Sequence, residues 1–225
     1  MSDTSNSFID EVTEEVQRDR LFGLLRKYGW IPILLVVLLV GGAAWNEYRK
    51  AQSRNAAQAL GDALLQAVED NDSAAGRAEA LAAVEADPVA QPIVDLYVAA
   101  SHVQNTDPAA AILALEKLAS NAEQPAAYRD LAALKIVLLG PEGASTAVRE
   151  ELIEQITAPG APYRLLGREQ QVYLLLEADK PGEARALAEE IIEEAGLTEG
   201  LRQRLNQLIL ALGGETARQR ALREQ

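Results

Sequence analysis

Eighteen consecutive residues, Tyr28 to Trp45 (YGWIPILLVVLLVGGAAW), carry no charge in a chain of which 24% is charged. As an α-helix this run would be about 27 Å long, close to the ~30 Å hydrocarbon core of a bilayer. Aromatic rings mark both ends, Tyr28 and Trp30 on one side, Trp45 and Tyr48 on the other, where the headgroup level suits them. Arg26 and Lys27 precede them, and Arg49 and Lys50 follow. Nine of the ten positions from Ile31 to Val40 are Ile, Leu or Val, and Pro32 falls in the first turn, where a missing amide costs little. The expectation is a single membrane-spanning helix over 28–46. It divides the chain into a leader (1–27), a body (47–215) and a short tail (216–225).

Two alternatives compete with an uncleaved signal anchor. One is a buried helix of a water-soluble domain. The other is a cleaved secretory signal, for which Gly41-Gly42-Ala43-Ala44 supplies small residues; the same patch would also permit close approach of another helix. Against cleavage, the leader is acid-rich rather than short and basic, and the apolar run exceeds the usual ~7–15 residues. Topology is not decided by basic residues: Arg18, Arg20, Arg26 and Lys27 lie before the run, Arg49, Lys50 and Arg54 after it. A long body behind an N-terminal anchor gives the expectation of leader inside and body outside.

The first 27 residues hold six acids and four bases, the remainder 28 acids and 17 bases. Such an acidic body repels phosphate backbones and anionic headgroups, which argues against nucleic acid and against a second membrane contact. Cysteine is absent, so disulfides and zinc–thiolate sites are excluded, a composition compatible with an oxidising compartment.

Within the leader, Ile9, Val12 and Val16 recur at helical spacing among acids, predicting a weakly amphipathic helix after a Ser/Asn/Asp-rich start. After Trp45 nothing punctuates the chain before Asn71-Asp72, so the helix is expected to run on, with Leu60, Leu64, Ala67 and Val68 along one face. Turn signals then recur at Asp87-Pro88, Asp107-Pro108, Gly140-Pro141-Glu142-Gly143, Pro159-Gly160, Lys180-Pro181-Gly182 and Gly196-Leu197. Segments of 12–18 residues rich in Ala, Leu, Glu and Arg separate them, and no run alternates at period two. The fold class is therefore all-α.

Three segments align as a repeat, beginning near Asp107, Gly143 and Lys180, with Ala111, Val148 and Ala184 taken as equivalent small positions. Leu115, Leu152 and Ala188 follow at +4, and Leu118, Gln155 and Ile191 at +7. A small residue with apolar residues one and two turns later, after a Pro/Gly/Asp turn, resembles the second helix of a tetratricopeptide repeat. First helices match in places: Val98-Ala99 and Gln171-Val172 stand at the Leu-Gly site, and Asp95 at the Trp site. The reading is a degenerate tetratricopeptide-like solenoid of helix pairs, with a non-repeating bundle as the alternative.

The leader, the span with Trp at both borders, the helix running out through WNEYRKAQ and the degenerate repeats in an acidic body together resemble the YfgM family. That resemblance implies an inner-membrane protein of Gram-negative bacteria whose C-terminal domain is periplasmic. It further implies a role beside the SecYEG translocon and in the periplasmic chaperone network, with translocon subunits, periplasmic chaperones or their clients as protein partners.

Chemistry for an enzyme is thin. His102, the lone histidine, sits in VAASHVQN without a companion base, and no phosphate loop, nucleophile elbow or metal spacing occurs. Glu189, Glu190, Glu193 and Glu194 read as the wet face of a helix, and Arg218, Arg220 and Arg223 as a fraying end. No catalytic residue, cofactor, metal or small-molecule substrate is expected. Tyr97, Tyr128 and Tyr173 fall on the first helices of successive units and are candidates for a protein-binding face, or for core residues with their hydroxyls at the rim. The functional expectation is a tethered adaptor or chaperone for other proteins or unfolded chains; the alternative is a scaffold for assembling another envelope complex.

Overall fold

The computed structural model describes residue 27 and residues 30–214, the side chains of residues 32 and 33 excepted. The expectations placed on the leader helix, on Tyr28 and on Arg218, Arg220 and Arg223 lie outside the described residues.

Among the described residues there are ten α-helices and no strand. They are α1 (Trp30–Glu69), α2 (Ala74–Ala82), α3 (Gln91–Gln104), α4 (Pro108–Ala119) and α5 (Ala126–Leu138). After a one-turn α6 (Gly140–Gly143) come α7 (Thr146–Thr157), α8 (Arg164–Glu177), α9 (Pro181–Ile192) and α10 (Glu199–Ala211). The chain divides into two compact units, Met1–Ala59 and Leu60–Gln225.

In the first unit the described apolar side chains have no core to enter. Trp30, Ile31 and every residue from Leu34 to Val40 are exposed, as are Trp45 and Tyr48, whose rings lie 6.2 Å apart. Arg54 and Glu47 pair at 3.4 Å, both exposed, so the pair contributes little. Among the described residues no helix is long and apolar enough to cross a membrane. The run expected to do so extends over Tyr28 and Gly29 and the side chains of residues 32 and 33, beyond what is described.

In the second unit the core is a chain of small clusters, each shared by consecutive helices. Leu64 and Ala67 at the end of α1 meet Leu81 of α2 and Val94 of α3. Ala99 of α3 joins Ile112, Leu115 and Leu118 of α4 and Ala132 and Ile136 of α5. Ala133 and Leu134 of α5 meet Ile156 of α7, and the last cluster gathers Val172, Ala184, Ala188, Ile191, Leu201, Leu205 and Ile209 from α8, α9 and α10. Each fully buried Leu or Ile is worth roughly 1.5–3 kcal/mol, so stability accumulates locally along the array.

The repeat shows most clearly in its turns. Thr106 and Asp179 both adopt left-handed backbone, φ 57° and 58°, and each precedes the cap of a second helix. The following amide folds back identically, Asp107 N–H to the His102 carbonyl and Lys180 N–H to the Leu175 carbonyl, both at 2.9 Å. Pro108 and Pro181 then open α4 and α9 at the position where a missing N–H is harmless. The chain after α10 closes likewise, through Gly213 at φ 77° and Gly214 N–H to the Ile209 carbonyl at 2.8 Å.

The middle unit departs from this turn and from the expected register. Its Gly140-Pro141-Glu142-Gly143 is not a plain turn but the single helical turn α6, entered through Gly140 at φ 67°. The second helix is capped by Ser145, whose Oγ accepts from Val148 N–H at 3.4 Å. Counted from the cap, the partner of Ala111 and Ala184 is Arg149, not Val148, and the apolar followers are Ile153 and Ile156, not Leu152 and Gln155. Burial agrees: Arg149, Ile153 and Ile156 are buried, and Val148 is exposed. Gln155 is polar because its amide donates to the buried Asp130 carboxylate at 3.1 Å.

Candidate functional site

The first helices of successive pairs are α3, α5 and α8, and α10 closes the row. Leu134 and Leu138 from α5, Leu166, Glu169, Gln170 and Tyr173 from α8, and Arg204 from α10 line an open groove of about 340 Å3. Leu138 is 59% exposed and Tyr173 38%, so apolar surface lies open to water there. Burial and the Glu169 charge push the Tyr173 hydroxyl above its ordinary pKa, against an opposing pull from Arg204.

The charges in this groove cancel. Arg204 Nε and Nη2 donate to the two oxygens of Glu169 at 2.7 and 2.8 Å, a bidentate pair whose acid side chain is 5% exposed. That bond holds the guanidinium above its ordinary pKa, burial opposing it.

Two further clamps fix α8 to its neighbours. Arg149, 3% exposed, donates to both oxygens of Glu177 at 2.9 and 2.6 Å. The hydrogen bond from Arg149 lowers the Glu177 carboxyl below the usual range, and partial burial opposes it. Arg164 and Arg168 both donate to Glu194, and Arg168 also to Glu190 at 2.8 Å. Burial works against the Glu194 charge, but the two guanidiniums outweigh it and hold the carboxyl low. The reading of Glu189, Glu190, Glu193 and Glu194 as one wet face is corrected at Glu194, which is 18% exposed. Its neighbour Glu189 is half-buried. At the α7–α8 seam, a Cβ on Gly167 would stand 2.8 Å from Ile156 Cγ1 and Thr157 Cγ2, so only glycine permits this approach.

The three candidate tyrosines are not brought together. Counted back from the cap (Asp107, Lys180 and Gly214), Tyr97 stands ten before it, in register with Gln170 and Arg204, whereas Tyr173 stands seven before it. With α6 allowed for, Tyr128 shares the register of Val94 and the buried Gly167 and is half-buried against the second cluster. Only Tyr173 lines the groove; Tyr97 is 49% exposed elsewhere on α3. His102 is half-buried on α3. Among the described residues no group of three or more His, Asp or Glu is placed to hold a metal ion.

Sequence reasoning missed Glu169, Arg204 and the leucines of the groove. A usable signal existed: Asp130 and Glu169, both buried, share one register eleven before the cap once α6 is allowed for. A carboxylate repeated on the apolar side of a first helix needs a partner, and the partners are Gln155 and Arg204.

No curated protein and no solved structure matches the chain. A family model does: residues 26–209 match the tetratricopeptide repeat-like domain, a repeat fold that indicates no enzymatic family and points to protein–protein interaction. With most of its length covered, the chain belongs to the tetratricopeptide repeat-like domain family.

Proposed function

We propose that this protein is a membrane-tethered adaptor that holds other proteins, or unfolded polypeptides, against the groove of α5, α8 and α10. The observation that carries the reading is exposed apolar surface on the first helices, Leu138 and Tyr173, in a family built for protein contacts. The tether is the uncharged run over 28–46, whose described side chains are exposed apolar groups at the start of α1. Trp30, Trp45 and Tyr48, with Tyr28, are its interfacial anchors. The YfgM resemblance supports the rest: an inner membrane, leader in the cytoplasm, body in the periplasm, and the Sec translocon, its chaperones or their clients as partners.

Tethering is the mechanism. Two partners confined to one membrane meet at a high effective concentration, so a weak contact suffices and clients can leave. The test is carbonate extraction of membranes followed by co-purification in mild detergent, with a protease-protection assay locating Gln225 on intact inner-membrane vesicles. Retention in the membrane, a protected C-terminus and a mixed set of partners including a channel subunit are expected. Release into plain salt buffer contradicts the tether. A single stoichiometric partner instead establishes the scaffold reading.

A further inference from the structure

We infer that the groove of α5, α8 and α10 takes an extended apolar segment flanked by basic residues, and discriminates against acidic ones. The inference rests on the adaptor reading and adds the chemistry of the partner. Leu138 and Tyr173, with the partly buried Leu166 beside them and the buried Leu134 beneath, offer apolar surface, and a volume of about 340 Å3, at the low end for a ligand pocket, suits a few large side chains of an extended chain. A carboxylate finds no uncompensated positive charge there: Arg204, half-exposed, is already bonded through Nε and Nη2 to Glu169. Freeing it would leave a buried acid unpaired, which is costly.

Beyond the groove the field is negative. Residues 60–214 contain 25 acids and 11 bases. Seven of those bases, Arg149, Arg164, Arg168, Lys180, Arg185, Arg202 and Arg204, already lie within 4.0 Å of a carboxylate. Such a surface draws a cationic segment in and turns an anionic one away, while the apolar contacts decide whether it stays. A second copy of this chain is disfavoured by the same excess, since it would bring like charge against like.

The test uses the full chain in nanodiscs of uncharged lipid and fluorescence anisotropy with three synthetic peptides. One has a Leu/Phe/Val core flanked by lysines, one the same core flanked by glutamates, and one lysine flanks around a Ser/Gly core. At low salt the lysine-flanked apolar peptide is expected to bind roughly tenfold or more tighter than either other peptide, the advantage over the glutamate peptide shrinking as salt rises. Leu138→Ser is expected to weaken it several-fold with unchanged melting temperature, because that side chain is 59% exposed, and Tyr173→Ala to weaken it several-fold with a modest drop in melting temperature, because that ring is partly packed. Equal or tighter binding of the glutamate peptide overturns the inference, as does equal binding of the Ser/Gly peptide or indifference to both substitutions. A chain ending at Gly214 is expected to bind as the full chain does; tighter binding would make the Arg-containing tail the occupant and overturn it too. If no peptide binds while protein partners still co-purify, this inference fails and the adaptor reading survives. Absence of co-purifying partners is the separate failure of that reading.

Discussion

Two helix pairs of this array, α3–α4 and α8–α9, make the same turn and fasten themselves differently. Both pass through a left-handed residue, Thr106 or Asp179, both close the same backbone hydrogen bond, and both seat an alanine, Ala111 or Ala184, at the seam. The earlier pair is held by apolar clusters, and among the described residues from 60 to 148 no ion pair occurs. The later one is clamped by guanidinium–carboxylate pairs to α7, within the pair and to α10. The repeat dictates the turn and the small seam, while the fastening between neighbours is free to vary and so sets how each region answers to acid and salt.

The largest effects should not discriminate between the pairs. Leu115→Ala and Ile191→Ala each remove a buried side chain one or two turns after the seam alanine. Both are expected to cost about 2–5 kcal/mol in urea denaturation. A difference between them far outside that range would break the equivalence of the two pairs.

The clamps should discriminate. Glu177→Ala leaves the buried Arg149 guanidinium without its acid and is expected to cost about 1–3 kcal/mol, tempered by the solvent that reaches Glu177. Arg149→Met removes the charge and keeps the volume, with an expected change of no more than about 1 kcal/mol in either direction. A double-mutant cycle on this pair measures the coupling directly.

Acid sharpens the contrast further. Glu177 and Glu194 have folded pKa values held below the unfolded carboxylate value, so their stabilisation is present above that value and drains away as pH falls through the folded ones. Hydrogen exchange followed from neutral pH to below the reference value of 4.5 should therefore lose protection in α7–α10 before α2–α4. Glu194→Gln should flatten that dependence. Simultaneous loss in both regions would remove the distinction.

Smallest is the cap. Asp107 Oδ1 accepts from Ala110 N–H at 3.1 Å, whereas Lys180 at the equivalent position makes no side-chain cap bond. Asp107→Ala should cost about 1 kcal/mol, and Lys180→Asp should gain a few tenths to about 1 kcal/mol, both read by thermal melting.

Much of this array was legible in the sequence, and the failures have physical causes. Ala111 and Ala184 were readable because each stands four residues into a helix opened by proline, with apolar residues following at +4 and +7. The middle unit misled because its seam residue is Arg149, which no small-residue pattern anticipates; the cap Ser145 would have set the register correctly. Tyr97, Tyr128 and Tyr173 share a residue type but not a register, so grouping them by repeat number alone placed three different faces on one surface. The groove needed one step more: the register shared by Asp130 and Glu169 marked a buried acid that needs a partner, but not that the partner would be Arg204, arriving from α10 about one repeat further on.

The central claim, that partners are held on the α5–α8–α10 groove, is tested most directly by a photo-crosslinking side chain placed at 138, 173 and, as a control, at the exposed Leu113 of α4, in the full-length protein in its native membrane. Adducts with other polypeptides at 138 and 173, and none at 113, are the expected result; equal labelling at all three positions, or labelling at 113 alone, would contradict it.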